Sequence, residues 1–369
     1  MSLSGILLFI IILLVLVIVH EFGHFIVAKL TGMRVDEFAF GFPPRIFGKK
    51  IGETTYAINA LPLGGYVSIW GENGSEEDKA KDGATHHPRA FGNRPWWTQL
   101  LVLIAGVTMN MLLALFIFIG ISYGTITINA DDEVFGKQIK DSSLIAADVS
   151  KESPAYKAGI VPGSTILKVT NAGDTAPLTT ATSLVNFIGT HQNTPFFISY
   201  KSPDGQQKST TVAAVYGIIP DKKALGISIE QVGIVKTNFV EAVKLGYGKT
   251  VTITILTFSG LTSVVTSLFD GKEVLSSLSG PVGIAKIVGQ TSEYGLSAIL
   301  TLVAVLSINL ALFNILPLPA LDGGRMVVVV IESVFKKKVP FKYYSWVNIA
   351  GFLALMLLLV VVTFNDIRG

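Results

Sequence analysis

Four stretches of this chain are apolar for at least the length of a membrane-crossing helix, and the segments between them are not. They run from Leu3 to Ala28, Gln99 to Tyr123, Ala298 to Val334 and Tyr344 to Phe364. Each is near or beyond the ~20 residues a helix needs to traverse hydrocarbon. The pattern predicts a polytopic α-helical membrane protein with four transmembrane helices. The third stretch is too long for one simple helix and carries Pro317, Pro319, Gly323 and Gly324, so a break is expected inside it. The first has neither a basic start nor a small-residue cleavage site and runs on into Phe25-Ile26-Val27-Ala28, which predicts an uncleaved span.

The segment from Phe38 to Trp70 is neither a span nor an ordinary loop. Phe38 to Pro44 and Tyr56 to Val67 are apolar and punctuated by Gly and Pro, the pattern of strands and turns. Non-helical backbone enters a membrane only where protein or a watery cavity covers it. A re-entrant β-hairpin against the first span is therefore expected, with a peripheral hairpin as the plainer alternative. Glu72 to Arg94 is charged and reads as a solvated loop, with His86 and His87 on the surface. From about Thr125 to Val232 the chain alternates strand-like runs (Ile166 to Thr170, Phe196 to Tyr200, Thr210 to Val215) with turns and a helix near Ala181 to Ile188. That is enough for one small domain. Asn238 to Phe269 reads as an amphipathic helix at the membrane surface, apolar enough around Val251 to Phe258 to dip in, with a fifth full span as the alternative. The expected division is 1–124 for the first half of a membrane core, 125–235 for the inserted domain, 236–297 for the surface segment and 298–369 for the second half of the core.

Composition agrees with that pattern. Half of the 369 residues are hydrophobic and only 15% are charged, where a soluble protein carries about a quarter. A net charge of +3 gives no case for nucleic acid. Cysteine is absent, so any metal must be held by His, Asp, Glu or water. Basic residues mark the cytoplasmic loops. Lys29, Arg34, Arg45, Lys49 and Lys50 follow the first span, and Lys336, Lys337, Lys338 and Lys342 precede the fourth. Asp131, Asp132 and Glu133 follow the second span and suit the other side. Both termini are then extracytoplasmic.

The chemistry sits where lipid is expected. His20-Glu21-Phe22-Gly23-His24 lies near the end of the first apolar run. On a helix this spacing puts two imidazoles one turn apart on one face, able to share a zinc ion, with the glutamate as general base. Ionisable groups at membrane depth are costly and mark functional sites. A catalytic zinc takes a third protein ligand and keeps one position open. Asp322, in Asn314-Ile315-Leu316-Pro317-Leu318-Pro319-Ala320-Leu321-Asp322-Gly323-Gly324-Arg325, ends the broken span on the same side. Asn314 is an amide donor for an oxyanion or an interhelical hydrogen-bonding group. Asn59, on the Tyr56 to Leu61 run, is a candidate substrate contact. Gly106 and Asn110, one turn apart in the second span, either pack against the site or meet substrate.

These two motifs resemble those of the site-2 protease family of intramembrane zinc metalloproteases, in its RseP-type bacterial branch, and the likeness runs along nearly the whole chain. The resemblance implies one zinc per chain on His20, His24 and Asp322, with Glu21 as base and a membrane-embedded β-hairpin. Ser153 to Val169 is similar to the Ser-Pro-Ala-x-x-Ala-Gly-Ile segment of the family's PDZ domains, which makes the inserted domain an α+β PDZ-like one; Ser164 stands where Asp is frequent. Arg325 stands where many members have His and is not assigned to the metal. The implied activity is hydrolysis of a peptide bond in or near the transmembrane segment of single-pass membrane proteins, such as anti-sigma factors or signal-peptide remnants, after another protease has trimmed them. The implied place is the bacterial inner membrane. A substrate strand is expected to pair along Tyr56 to Leu61. The alternatives are a metal-binding transporter, which would want ionisable residues on more spans, and a silent PDZ-bearing scaffold, which has no need of Glu21.

Overall fold

The computed structural model describes residues 3–72, 88–129, 140–191, 193–219, 222–269 and 279–368. His86, His87, Asp131, Asp132 and Glu133 lie outside them. Along the chain come α1 (Leu3–Leu30), β1 (Val35–Ile51), β2 (Thr54–Ile69), a 3-10 turn at Phe91–Asn93 and α2 (Trp96–Ile121). Then follow β3 (Gly124–Asn129), β4 (Lys140–Val149), α3 (Pro154–Lys157), β5 (Thr165–Asn171), β6 (Asp174–Thr175), α4 (Ala181–Thr190), β7 (Phe196–Lys201), β8 (Gln207–Val212), β9 (Val215–Ile219), β10 (Lys222–Ala224) and β11 (Ile227–Thr237). Helices α5 (Phe239–Phe269), α6 (Pro281–Thr291), α7 (Leu296–Ile315), α8 (Asp322–Phe335) and α9 (Phe341–Arg368) complete it.

Among the described residues four helices, α1, α2, α7 and α9, are long and apolar enough to cross a membrane. The long third apolar stretch breaks as its prolines require, leaving a non-helical step from Leu316 to Leu321 between α7 and α8. Ala320 takes a left-handed φ of 68° in that step. Gly323 lies against the carbonyls of Ile315 and Leu316, where any Cβ would collide. The chain thus doubles back and restarts a helix with Asp322 in its first turn, where a carboxylate meets the positive end of the helix dipole.

The chain divides into two compact units, Met1–Ile119 with Gly246–Glu293 and Ala298–Gly369, and Gly120–Leu245 with Tyr294–Ser297. In the first unit, Ile12 and Leu16 of α1 bury against Val288 of α6 and Val303 of α7. Nearer the other end of α1, Ala28, Met33 and Val35 pack with Ile69, Phe91, Val102, Leu103 and Val329. Thr257 of α5 donates to the Asn309 side chain of α7 at 3.0 Å. The N-terminus of α6 has no cap of its own. Asp366 near the end of α9 supplies it, accepting from the N–H groups of Gly280 and Gly283 at 3.2 and 2.7 Å.

β1 and β2 form more than a simple hairpin. Phe38, Ala39 and Phe40 each pair with two residues of β2, Ala39 with both Tyr66 and Ala57. The second half of β1 turns back to pair with the first half of β2, Phe47 with Ile58 and Lys50 with Thr55. Thr55 to Ile58 is therefore flanked on both sides by β1. The first half of the stretch expected to receive substrate, Tyr56 to Ile58, has no free edge. Among the described residues, the second half of β2, Gly65 to Ile69, pairs on one side only. Glu53 between the strands accepts from Arg89 and Lys29, both at 2.7 Å, and those two cations lower its carboxyl to about 2.

The second unit is built on a sheet of order β3-β11-β4-β5-β7-β8, with β6 beside β5. Leu144, Ile166, Phe196, Ile198 and Tyr200 are among its buried core. Ser153 caps α3 by accepting from the Tyr156 N–H, with Pro154 in the first turn, the local reason for the Ser-Pro-Ala sequence. The run read as one strand from Thr210 to Val215 is two, β8 ending at Val212 and β9 starting at Val215.

Candidate metal centre

α1 carries His20 and His24 one turn apart, both buried. α8 brings Asp322, 302 residues from His20 along the chain, to within 3.0 Å of its Nε2. The His24 Nε2 lies 3.3 Å from the same Asp322 oxygen and 3.2 Å from the His20 Nε2. Three ligand atoms thus form a triangle with edges of 3.0 to 3.3 Å. Tetrahedral zinc with bonds of 2.0–2.1 Å needs its ligand atoms about 3.3 Å apart. The donor set, two imidazoles and a carboxylate, and its spacing both fit that ion. Among the described residues this is the one cluster of three or more such side chains that could hold a metal.

Two glycines let the helices come this close. Gly23 of α1 lies against the Ala105 carbonyl and Met109 of α2. Gly106 of α2 faces the imidazoles: a Cβ there would meet the His24 Nε2, and would lie 2.8 Å from the His20 Cε1. The other ring nitrogens point outward. The His24 Nδ1 lies 2.8 Å from the Val102 carbonyl, and the His20 Nδ1 lies 3.3 Å from the Asn110 side-chain amide. Ser307 of α7 donates to the Asn110 carbonyl at 2.8 Å. The Asn314 amide stands 3.5 Å from the His20 Nε2, at the rim of the triangle.

Glu21 is on the same helix and is not one of the triangle's groups. Its carboxyl takes a hydrogen bond from the Val67 backbone of β2, and a Cβ at Gly65 would lie 3.5 Å from its Cγ. The free half of β2 therefore runs beside Glu21. Asn59 is elsewhere in the hairpin, buried and donating to the Gly41 carbonyl at 2.9 Å. The structure does not bring it to the metal triangle.

Two residues outside the triangle join the surroundings, Glu72, read from sequence as part of a solvated loop, and Arg325, which is not assigned to the metal and does not ligate. Glu72, at the start of what read as a solvated loop, is half-buried. Burial raises its carboxyl, opposed by the charges of Arg325 and His24. Arg325 lies with its guanidinium 4.5 Å from the Tyr344 ring centre and 5.5 Å from that of Phe91, and donates to the Glu72 carbonyl at 2.7 Å. Glu72 had no spacing signal, since what recruits it is the path of the chain after β2, whereas Arg325 comes with Asp322 on α8.

Comparison with known proteins places this geometry. The sequence profile of Peptidase family M50 matches residues 8–358. "Putative zinc metalloprotease CPE1693" of Clostridium perfringens is 34% identical over 352 residues, covering 95% of each chain. "Putative zinc metalloprotease FN1322" of Fusobacterium nucleatum is 33% identical over 361 residues, again 95% of each. "Zinc metalloprotease RasP" of Geobacillus kaustophilus is 29% identical over 444 residues, covering 100% of this chain and 98% of its own. The chain belongs to Peptidase family M50, the site-2 proteases, and is a zinc-dependent intramembrane protease.

Proposed function

We propose that this protease cuts single-pass membrane proteins in or beside their transmembrane segment, after another protease has removed the outer domain, with His20, His24 and Asp322 as the zinc ligands and Glu21 as the base. The observation that carries the assignment is the convergence of two histidines and a distant aspartate at one end of apolar helices, beside a glutamate that stays out of the triangle. Zinc, when bound, supplies a Lewis acid that polarises a carbonyl and brings the pKa of a water towards ~7. Glu21 accepts the proton of the attacking water on a carboxylate oxygen and returns it to the leaving amine nitrogen. The Val67 N–H holds that carboxylate in place. Asn314 donates to the carbonyl oxygen as it gains charge. A helical substrate hides its carbonyls, so the reacting stretch must be extended. The unpaired edge of β2 from Gly65 to Ile69 offers such a stretch a ladder next to Glu21.

Residues 120–245 act in this proposal as a PDZ-like extracytoplasmic domain that screens substrates. The capped Ser153-Pro154 turn leading into β5 supports that reading. The basic loops after α1 and before α9 support a site near the cytoplasmic face of the inner membrane.

The test compares wild type with Glu21→Gln on a trimmed single-pass substrate in liposomes, with zinc measured on both. The expected outcome is loss of cleavage with zinc retained. Equal cleavage by both would remove Glu21 from the mechanism.

A further inference from the structure

A histidine that offers a lone pair to a metal must carry its one proton on the other nitrogen. Both imidazoles here aim Nε2 at the triangle, so each needs a hydrogen-bond acceptor at Nδ1. His24 has one that cannot be anything else, the Val102 carbonyl at 2.8 Å. His20 has the side-chain amide of Asn110. That amide is completely buried, its Nδ2 lies 3.3 Å from the His20 Nδ1, and its Oδ1 has no hydrogen-bond partner. With its Nδ2 toward His20 the amide would donate to a bare Nδ1 and leave the proton on Nε2 facing Asp322, which opposes metal binding. A half-turn of the amide exchanges its oxygen and nitrogen and puts the orphan Oδ1 where an Nδ1–H needs it.

We infer that Asn110 is a positioning residue that accepts from the His20 Nδ1–H and so holds His20 in the tautomer that ligates zinc. The Ser307 bond to the Asn110 backbone carbonyl fixes α2 at this level, so the amide rotates about its own side-chain bond without moving the helix. Acceptors of this kind behind metal-bound histidines set ring orientation and ligand basicity. The role differs from substrate or oxyanion contact, because Asn110 acts through His20.

The inference rests on the zinc assignment above, and the experiment separates the two. Zinc affinity is measured by chelator competition on the full chain in detergent, for wild type, Asn110→Leu and Asn110→Asp. The Leu change removes the acceptor at similar volume; the Asp change keeps an acceptor and removes the donor. The expected result is a loss of about 10- to 100-fold in zinc affinity for Asn110→Leu, with Asn110→Asp within a few-fold of wild type. Zinc affinity for Asn110→Leu equal to wild type overturns the inference. So does Asn110→Asp bound as weakly as the Leu variant, because the amide would then matter as a donor. If the Leu variant does not fold, Asn110→Ala replaces it, with the same expected loss and the same overturning result. Wild type that takes up no zinc would instead sink the metal assignment itself.

Discussion

At position 106 the site admits a hydrogen and nothing larger. The nearest atoms to a Cβ there are the two imidazoles, which cannot retreat without leaving Asp322. Gly106→Ala is therefore expected to displace His24 and His20 and lower kcat/KM by about 10²-fold, the usual cost of a misplacement near 1 Å, with weaker zinc retention. Steady-state cleavage and metal content on the purified variant check it; wild-type values for both would mean that α1 and α2 can part freely. The residue scale is also where sequence was most informative. His20 and His24 stand out because their spacing is the helix repeat itself, and Asp322 because a lone carboxylate ends a broken apolar run. Gly106 and Asn110 stood out as a one-turn pair, but whether they touched substrate or the ligands depends on which face of α2 meets α1, and no local pattern states that. Glu72 was hidden for a different reason: its neighbours in sequence are polar, and only the path of the chain after β2 carries it inward.

At the scale of elements, the β1–β2 pair decides where an extended substrate can lie. Successive residues of a strand turn their N–H groups to opposite sides. Val67 gives its N–H to Glu21, so on the free half of β2 Gly65 and Ile69 face the same way and Tyr66 and Ser68 face β1. Val67→Pro removes the outward N–H that holds Glu21 while leaving the inward ones. It is expected to abolish cleavage and to leave zinc content unchanged, read by cleavage and metal assays side by side. Undiminished cleavage would mean that this edge of β2 does not hold the base. Sequence marked both strands by their Gly, Pro and aromatic content. It did not mark the pairing, because Phe38 to Phe40 of β1 pair with the two halves of β2 on their two sides, and alternation of side chains reports a strand's faces, not its neighbours. That is why Tyr56 to Leu61 read as an available edge although its first half, Tyr56 to Ile58, is an inner strand.

For the whole molecule, the meeting of α1 and α8 constrains how many times the chain crosses the membrane. His24 lies near the C-terminal end of α1, and Asp322 follows the C-terminal end of α7. For them to share a metal, α1 and α7 must run in the same direction across the bilayer, so an odd number of crossings separates them. α2 alone gives that number. A crossing by α5 as well would carry Asp322 to the opposite face, some 30 Å away. The 31 residues of α5 expose Tyr247, Val251, Ile255, Leu256 and Phe258, but the geometry of the metal triangle argues that this helix does not traverse. The chain has no cysteine, so single cysteines report sidedness directly. Lys50→Cys, Lys208→Cys and Lys337→Cys sit at exposed positions after α1, in the soluble unit and before α9. With a membrane-impermeant maleimide applied from outside, labelling is expected at position 208 in intact cells, and at 50 and 337 only after permeabilisation. Labelling at 337 without labelling at 50 would mean that α5 crosses, which is incompatible with Asp322 as a ligand. Labelling at both, with 208 protected, would invert the protein in the membrane, keep the metal site whole and turn its catalytic end to the outside.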